Sequence, residues 1–166
     1  VGVDEAEAGF RGADVITVAA SRLKPLYFQD DWIKDGATIL VSGPMNTDES
    51  FLTSCKIVYD HTALQEAYVE DAIASGNKEA YYCGVIGGPF YRLIDAGKLP
   101  ALKDSTGLGD VVNGKKPGRE SPSDRIIFIA CGMAVFDISW GFEMLQRAKE
   151  KGIGQSLNLW DKPAQG

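Results

Sequence analysis

The chain has 166 residues, 45% of them apolar and 24% charged, which are the proportions of an ordinary globular protein and enough to bury one sizeable core. A net charge of -6 and a pI near 4.8, without a cluster of Lys and Arg, argue against a nucleic-acid or anionic-membrane surface and favour a small-molecule ligand. Three widely spaced cysteines, Cys55, Cys83 and Cys131, make neither a metal-binding pair nor a disulfide framework, which fits a reducing cytoplasm, and no apolar run reaches the roughly 18 residues that cross a bilayer.

In chain order, Val1-Gly2-Val3-Asp4 opens without an initiator Met and leads at once into a packed-looking segment, so the chain is expected to begin inside a longer protein. The apolar run over 15–20 reads as a buried strand of a parallel sheet, followed by a short loop or helix through Asp30 to Ile33. Further strands are predicted over 37–42 and 56–60, with the spacing of α/β units and short crossovers. Thr62 with Gln65 reads as a capping box opening a helix over 62–75, whose apolar face is Leu64, Ala67, Tyr68 and Ala72. Residues 80–88 are apolar and glycine-rich, with Pro89 ending any strand and a short helix over 90–96. A short helix over 108–112 leads into a turn-rich basic loop over 113–119. The last strand is predicted over 126–130. A helix over 133–150 then carries Phe136, Trp140, Phe142 and Met144 on more than one face, which one half-domain could not cover.

Small residues end the first two strands, at Thr17 to Ser21 and Val41 to Gly43. They leave room for a flat cofactor across the carboxyl ends of a parallel sheet, or they let a helix pack closely. A glycine-rich phosphate loop is absent, because Gly107-Leu108-Gly109 follows no predicted strand and Gly152-Ile153-Gly154 closes a helix. His61, the only histidine, sits where a strand meets a helix and reads as packing more than as an acid or base. Cys131 ends a strand, as a structural thiol before a nucleophile. Asp48 and Glu49, close to Asn46, place a carboxylate at the cleft or form a solvated helix N-terminus.

The series Leu108-Gly109-Asp110-Val111-Val112-Asn113-Gly114-Lys115-Lys116-Pro117-Gly118-Arg119, then Asp124-Arg125-Ile126-Ile127 and Gly132-Met133-Ala134-Val135-Phe136-Asp137-Ile138, closely resembles the ornithine cyclodeaminase and mu-crystallin family. The ending Gly152 to Trp160 is similar to that of the family's siderophore-pathway amino acid dehydrogenases. The resemblance implies the C-terminal half of a Rossmann-type α/β domain over 1–131, and a C-terminal helix and tail over 132–166 that return to an N-terminal substrate and dimerisation domain. It implies NAD or NADP as cofactor, an amino acid or its imine as substrate, hydride transfer at the α-carbon, and a homo-oligomer or pairing with the other half. It places Ala19, Ala20 and Ser21 against the cofactor, Val41 near the nicotinamide, and Cys131 at the loop that meets the nicotinamide amide. The cyclodeaminases carry an aspartate where this chain has Asn46; asparagine cannot accept a proton, and Asp48 could substitute if the loop is shifted by two residues. A non-catalytic NADPH- or ligand-binding protein of the mu-crystallin type is the alternative.

Overall fold

The computed structural model describes residues 5–20 and 24–158. The chain divides into two compact units, residues 1–131 and 132–166.

The first unit runs α1 (Ala6–Phe10), β1 (Val15–Val18), β2 (Leu26–Tyr27), a 3-10 turn over Asp30–Trp32, β3 (Thr38–Val41), β4 (Met45–Asn46), α2 (Glu49–Ser54), β5 (Lys56–Tyr59), α3 (Thr62–Ala74), α4 (Lys78–Gly84), α5 (Gly88–Asp95), a 3-10 turn over Leu102–Asp104, β6 (Thr106–Gly107), α6 (Leu108–Val112) and β7 (Ile126–Ile129). Five strands form one sheet in the order β1-β3-β7-β5-β6, and every pairing is parallel. Four of these strands, β1, β3, β5 and β7, are the predicted ones, because short apolar runs separated by crossovers are what a covered parallel sheet demands, and β6 is added at the edge. Ile39, Val41, Ile127 and Ile129 are fully buried in its centre. The run over 15–20 is buried on one face only: β1 lies at the sheet edge, its burial alternates, and Val15 is 59% exposed. A parallel pair of two residues each, β2 and β4, sets Tyr27 opposite Asn46.

Three local readings change. The capping box is not formed, because the N-cap of α3 is His61, whose Nδ1 accepts from the Leu64 amide at 3.3 Å. Gln65 does not reach back over the helix end. It is fully buried, and the exposed Ala67 lies off the packed stripe of Gln65, Tyr68, Val69 and Ala72. The second change is at 80–88, where Asn77 caps α4 through the Ala80 amide at 3.1 Å and Pro89 sits in the first turn of α5. A proline at a helix start loses no hydrogen bond, so it opens this helix instead of ending a strand. Gly88 is obligatory there, since a Cβ would collide with the Tyr82 carbonyl. Thirdly, Gly107-Leu108-Gly109 does follow a strand. β6 has two residues, too few to show a period, and it pairs with β5 before α6 opens.

The basic loop is a clamp on the fold. Lys116 Nζ donates to the Ser105 carbonyl at 2.6 Å, Arg119 donates to the Asp124 carbonyl and to Thr38 Oγ1, and Lys56 pairs with Glu120 at 2.7 Å. These contacts tie the loop to the amino ends of β3 and β5, away from the strand ends where ligands of such sheets bind.

The second unit contains α7 (Ala134–Glu150). Its apolar side chains Val135, Phe136, Ile138, Trp140, Phe142, Met144 and Leu145 are all exposed, Trp140 by 70%. Glu143 and Arg147 make an i,i+4 pair at 2.8 Å, an arrangement that contributes little at a solvated helix surface.

Candidate functional site at the carboxyl edge of the sheet

All five main strands run in one direction, so the loops leaving β1, β3, β5 and β7 share one edge. The loop after β3 closes on the loop after β1: a Cβ on Gly43 would lie 3.1 Å from the Ala19 carbonyl carbon and 3.3 Å from the Ala20 amide nitrogen. A side chain there would push the two loops apart, and glycine lets them cross. Ala19 and Ala20 are exposed at this crossing. Ser21 lies outside the described residues. Val41 ends β3 but is fully buried, and its carbonyl accepts from the Ala130 amide at 2.9 Å. Its side chain thus belongs to the core, and it offers a ligand no side-chain surface.

Three residues beyond Gly43, Asn46 lines a cleft of about 510 Å³. Pro44, Met45, Val85, Ile86 and Pro89 make the cleft mostly apolar, while Asn46, Cys83 and Arg92 supply its polar side chains together with Tyr82. Asp48 is not among its lining residues. It occupies the N-cap position of α2 and accepts a hydrogen bond from the Tyr27 hydroxyl at 3.0 Å, which raises the Tyr27 pKa. Of the two candidates, only Asn46 meets the cleft.

Cys131 borders a smaller cavity of about 200 Å³ with Tyr68, Gly84, Val85 and Ile86. Residues 84–86 therefore form a wall shared by both spaces, with Asn46 beside one and Cys131 beside the other. Behind Cys131 lies a buried polar network. Asp60, 5% exposed, leaves the end of β5 and accepts from three donors: the His61 amide at 2.8 Å, Gln65 Nε2 at 2.7 Å and the Cys131 amide at 2.7 Å. With its NH₂ directed to Asp60, Gln65 turns its oxygen to the Tyr91 hydroxyl at 2.5 Å and to the Cys131 thiol at 3.6 Å. Every member thus has a partner, as a buried polar group must. Burial raises the Tyr91 and Cys131 pKa values, so both stay protonated as donors at neutral pH.

This arrangement fits the structural reading of Cys131. Thiol reactivity follows the thiolate. Burial pushes Cys55 up to about 11, two pH units above its ordinary value, which lowers its thiolate fraction at pH 8 about 100-fold. Cys83 is exposed. Iodoacetamide at pH 8, followed by peptide mass spectrometry, should label Cys83 first, with Cys131 and Cys55 far behind. Labelling of Cys131 as fast as Cys83 would mean that its thiol is activated.

The sequence reading missed Asp60, Gln65, Tyr91 and Arg92. A faint signal existed at Gln65, a polar residue four before Val69 and seven before Ala72, on the stripe that packs inward.

Comparison with known proteins agrees with this topology. The chain is 32% identical over 154 residues to the nodulation efficiency protein NfeD of Rhizobium meliloti, covering 93% of this chain and 42% of that protein. It is 26% identical over 161 residues to N-((2S)-2-amino-2-carboxyethyl)-L-glutamate dehydrogenase of Staphylococcus aureus, covering 96% of this chain and 42% of the other. The chain thus spans less than half the length of these relatives. Among solved structures, the Delta(1)-pyrroline-2-carboxylate reductase of Thermococcus litoralis, in complex with NADH and L-proline, superposes with a TM-score of 0.64 at 21% identity over 93% of this chain and 44% of that one. An archaeal alanine dehydrogenase dimer with bound NAD gives 0.61 at 21% identity, over 96% and 45%. The family model for ornithine cyclodeaminase/mu-crystallin proteins matches residues 1–152. With nearly the whole chain covered by that match, the protein belongs to the ornithine cyclodeaminase/mu-crystallin family.

Proposed function

We propose that these residues form the nicotinamide side of an NAD(P)-dependent oxidoreductase that acts on an amino acid or its imine. The observation that carries this reading is the meeting of the Ala19–Ala20 and Gly43 crossing, Asn46 and the Cys131 turn on one carboxyl edge of a parallel sheet. Residues 19, 20 and 43 fit a flat ring, because exposed small side chains leave its face free. When bound, the nicotinamide supplies hydride acceptance and donation. The protein supplies placement and exclusion of water: apolar Met45, Val85 and Ile86 wall the cleft, and the Asn46 amide can orient a substrate amine or carboxylate. Asn46 takes no proton, so a base must come from the substrate, from water or from elsewhere in the full-length protein. Relatives named as a dehydrogenase and as Delta(1)-pyrroline-2-carboxylate reductases support the substrate class. The test is reduced-nicotinamide formation by the full-length gene product across a panel of amino acids, with reduction of their cyclic imines as the reverse assay. No turnover in either direction, with saturable NADPH binding retained, would favour the second reading, a ligand-binding protein without catalysis. That reading draws on Asn46 standing in the cleft while Asp48 is engaged by Tyr27.

We also propose that α7 is covered in the working protein, by a second copy or by the part of the full-length protein that lies beyond these residues. Seven exposed large apolar side chains on one helix exceed what a solvated surface carries. Sedimentation of the 166-residue chain as a monomer at tens of micromolar, with Trp140 fluorescence showing full solvation, would speak against self-association.

A further inference from the structure

Among the described residues that line it, the cleft that holds Asn46 has one cation and no carboxylate. The cation is Arg92, one turn into α5, and it is held in place from three sides. Its Nε donates to Glu79 at 2.8 Å, its Nη2 donates to Cys83 Sγ at 3.2 Å and to the Glu79 carbonyl at 3.4 Å, and its guanidinium carbon lies 5.8 Å from the Tyr82 ring centre. Nη1 makes no hydrogen bond among the described residues. The Asn46 side-chain amide, on the same cleft, likewise makes no hydrogen bond among the described residues. A guanidinium fixed by its neighbours with donors left over suits a carboxylate, since little rotamer freedom remains to be lost on binding. A substrate ammonium entering here meets the Arg92 guanidinium and, among the described lining residues, no carboxylate.

We propose that Arg92 is the anion-recognising residue of this cleft, which therefore takes an organic acid: a carboxylate against the guanidinium, a short aliphatic body along Met45, Val85 and Ile86, and a polar group at Asn46. The inference rests on the cleft being the substrate site and names its substrate class, acidic and not basic at the end that meets α5. Glu79 sets the strength of the interaction, since it already neutralises part of the Arg92 charge.

The test is titration of the 166-residue chain with glutarate, followed by backbone amide NMR shifts, with 1,5-diaminopentane as the cationic probe of equal length. Glutarate should shift Asn46, Val85 and Arg92 saturably in the millimolar range, and the diamine should not. Arg92→Gln should weaken glutarate at least tenfold, and Arg92→Lys should fall between. If Arg92→Gln does not fold, Glu79→Gln serves in its place: it releases the guanidinium from its counter-ion and should tighten glutarate at least threefold. Glutarate binding unchanged in Arg92→Gln, unchanged or weaker in Glu79→Gln, absent from the wild type, or matched by the diamine would overturn the proposal. Glutarate binding needs no nicotinamide, so this result is independent of the one on hydride transfer. Turnover by the full-length protein with KM unaffected by Arg92→Gln would remove Arg92 alone and leave the oxidoreductase reading intact.

Discussion

Asp60→Ala is expected to lower the unfolding free energy by about 3–5 kcal/mol, near the upper end for a single substitution. The carboxylate joins three parts of the structure that are distant in sequence: its own strand end at His61, α3 through Gln65, and the end of β7 through Cys131. Alanine would strand the Gln65 NH₂ and two backbone amides in or near the core, and each buried donor left without a partner costs about 1–3 kcal/mol. The damage should spread to the other end of Gln65, because its oxygen serves Tyr91 and Cys131 only while its nitrogen is held by Asp60. Asp60→Asn is the informative partner. It keeps one acceptor oxygen but sets an NH₂ against a donor whichever way the amide is turned, so roughly half the loss should remain. Urea unfolding of the three proteins measures the energies, and hydrogen exchange at the Cys131 amide locates them. Asp60→Ala within about 1 kcal/mol of the wild type would show that water replaces the carboxylate.

The position of this network also shows why the sheet was readable from the residues and the site was not. β3 and β7 announce themselves because Ile39, Val41, Ile127 and Ile129 must be apolar to fill the centre of a covered sheet. The same logic misread β1, where the apolar run is as long but the strand lies at an edge. β6 was missed because two residues have no period. Around α3 the Thr62 to Gln65 spacing matches a capping box, but His61, one residue earlier, caps the helix through the Leu64 amide, and Gln65 is drawn into the core by Asp60. Arg92 was invisible for a related reason, since its meaning depends on α5 lying beside β4 across a cleft, and Pro89 read as a stop obscures α5 as a helix with a defined start. The basic loop over 113–119 carries part of the family resemblance, yet none of its residues is among the described lining of the Asn46 cleft or of the Cys131 cavity. Its side chains close the amino edge of the sheet.

The remaining large effect concerns the cofactor. The 166-residue chain by itself should bind NADH in the millimolar range or weaker, about two to four decades below the micromolar affinity of a complete dinucleotide fold. Much of a dinucleotide's affinity comes from a pyrophosphate on a glycine-rich helix start and from ribose hydroxyls on an acidic residue. Among the described residues the one strand that runs through a Gly-x-Gly into a helix is β6, and it does not serve: α6 has five residues, Asp110 stands in its first turn, and Val112 occupies the third glycine position. Losing even two charge-assisted hydrogen bonds at about 1.5–3 kcal/mol each accounts for the expected drop. On the proposed reading these residues keep the platform of Ala19, Ala20 and Gly43, which would orient a ring more than hold a charge. NADH fluorescence, or quenching of Trp32 and Trp140, gives the binding curve. Saturation in the low micromolar range would mean that a phosphate site exists within this chain, and the loop from Gly107 to Lys115, which lines a separate cavity of about 250 Å³ with Asp60 and His61, would be the first place to look for it.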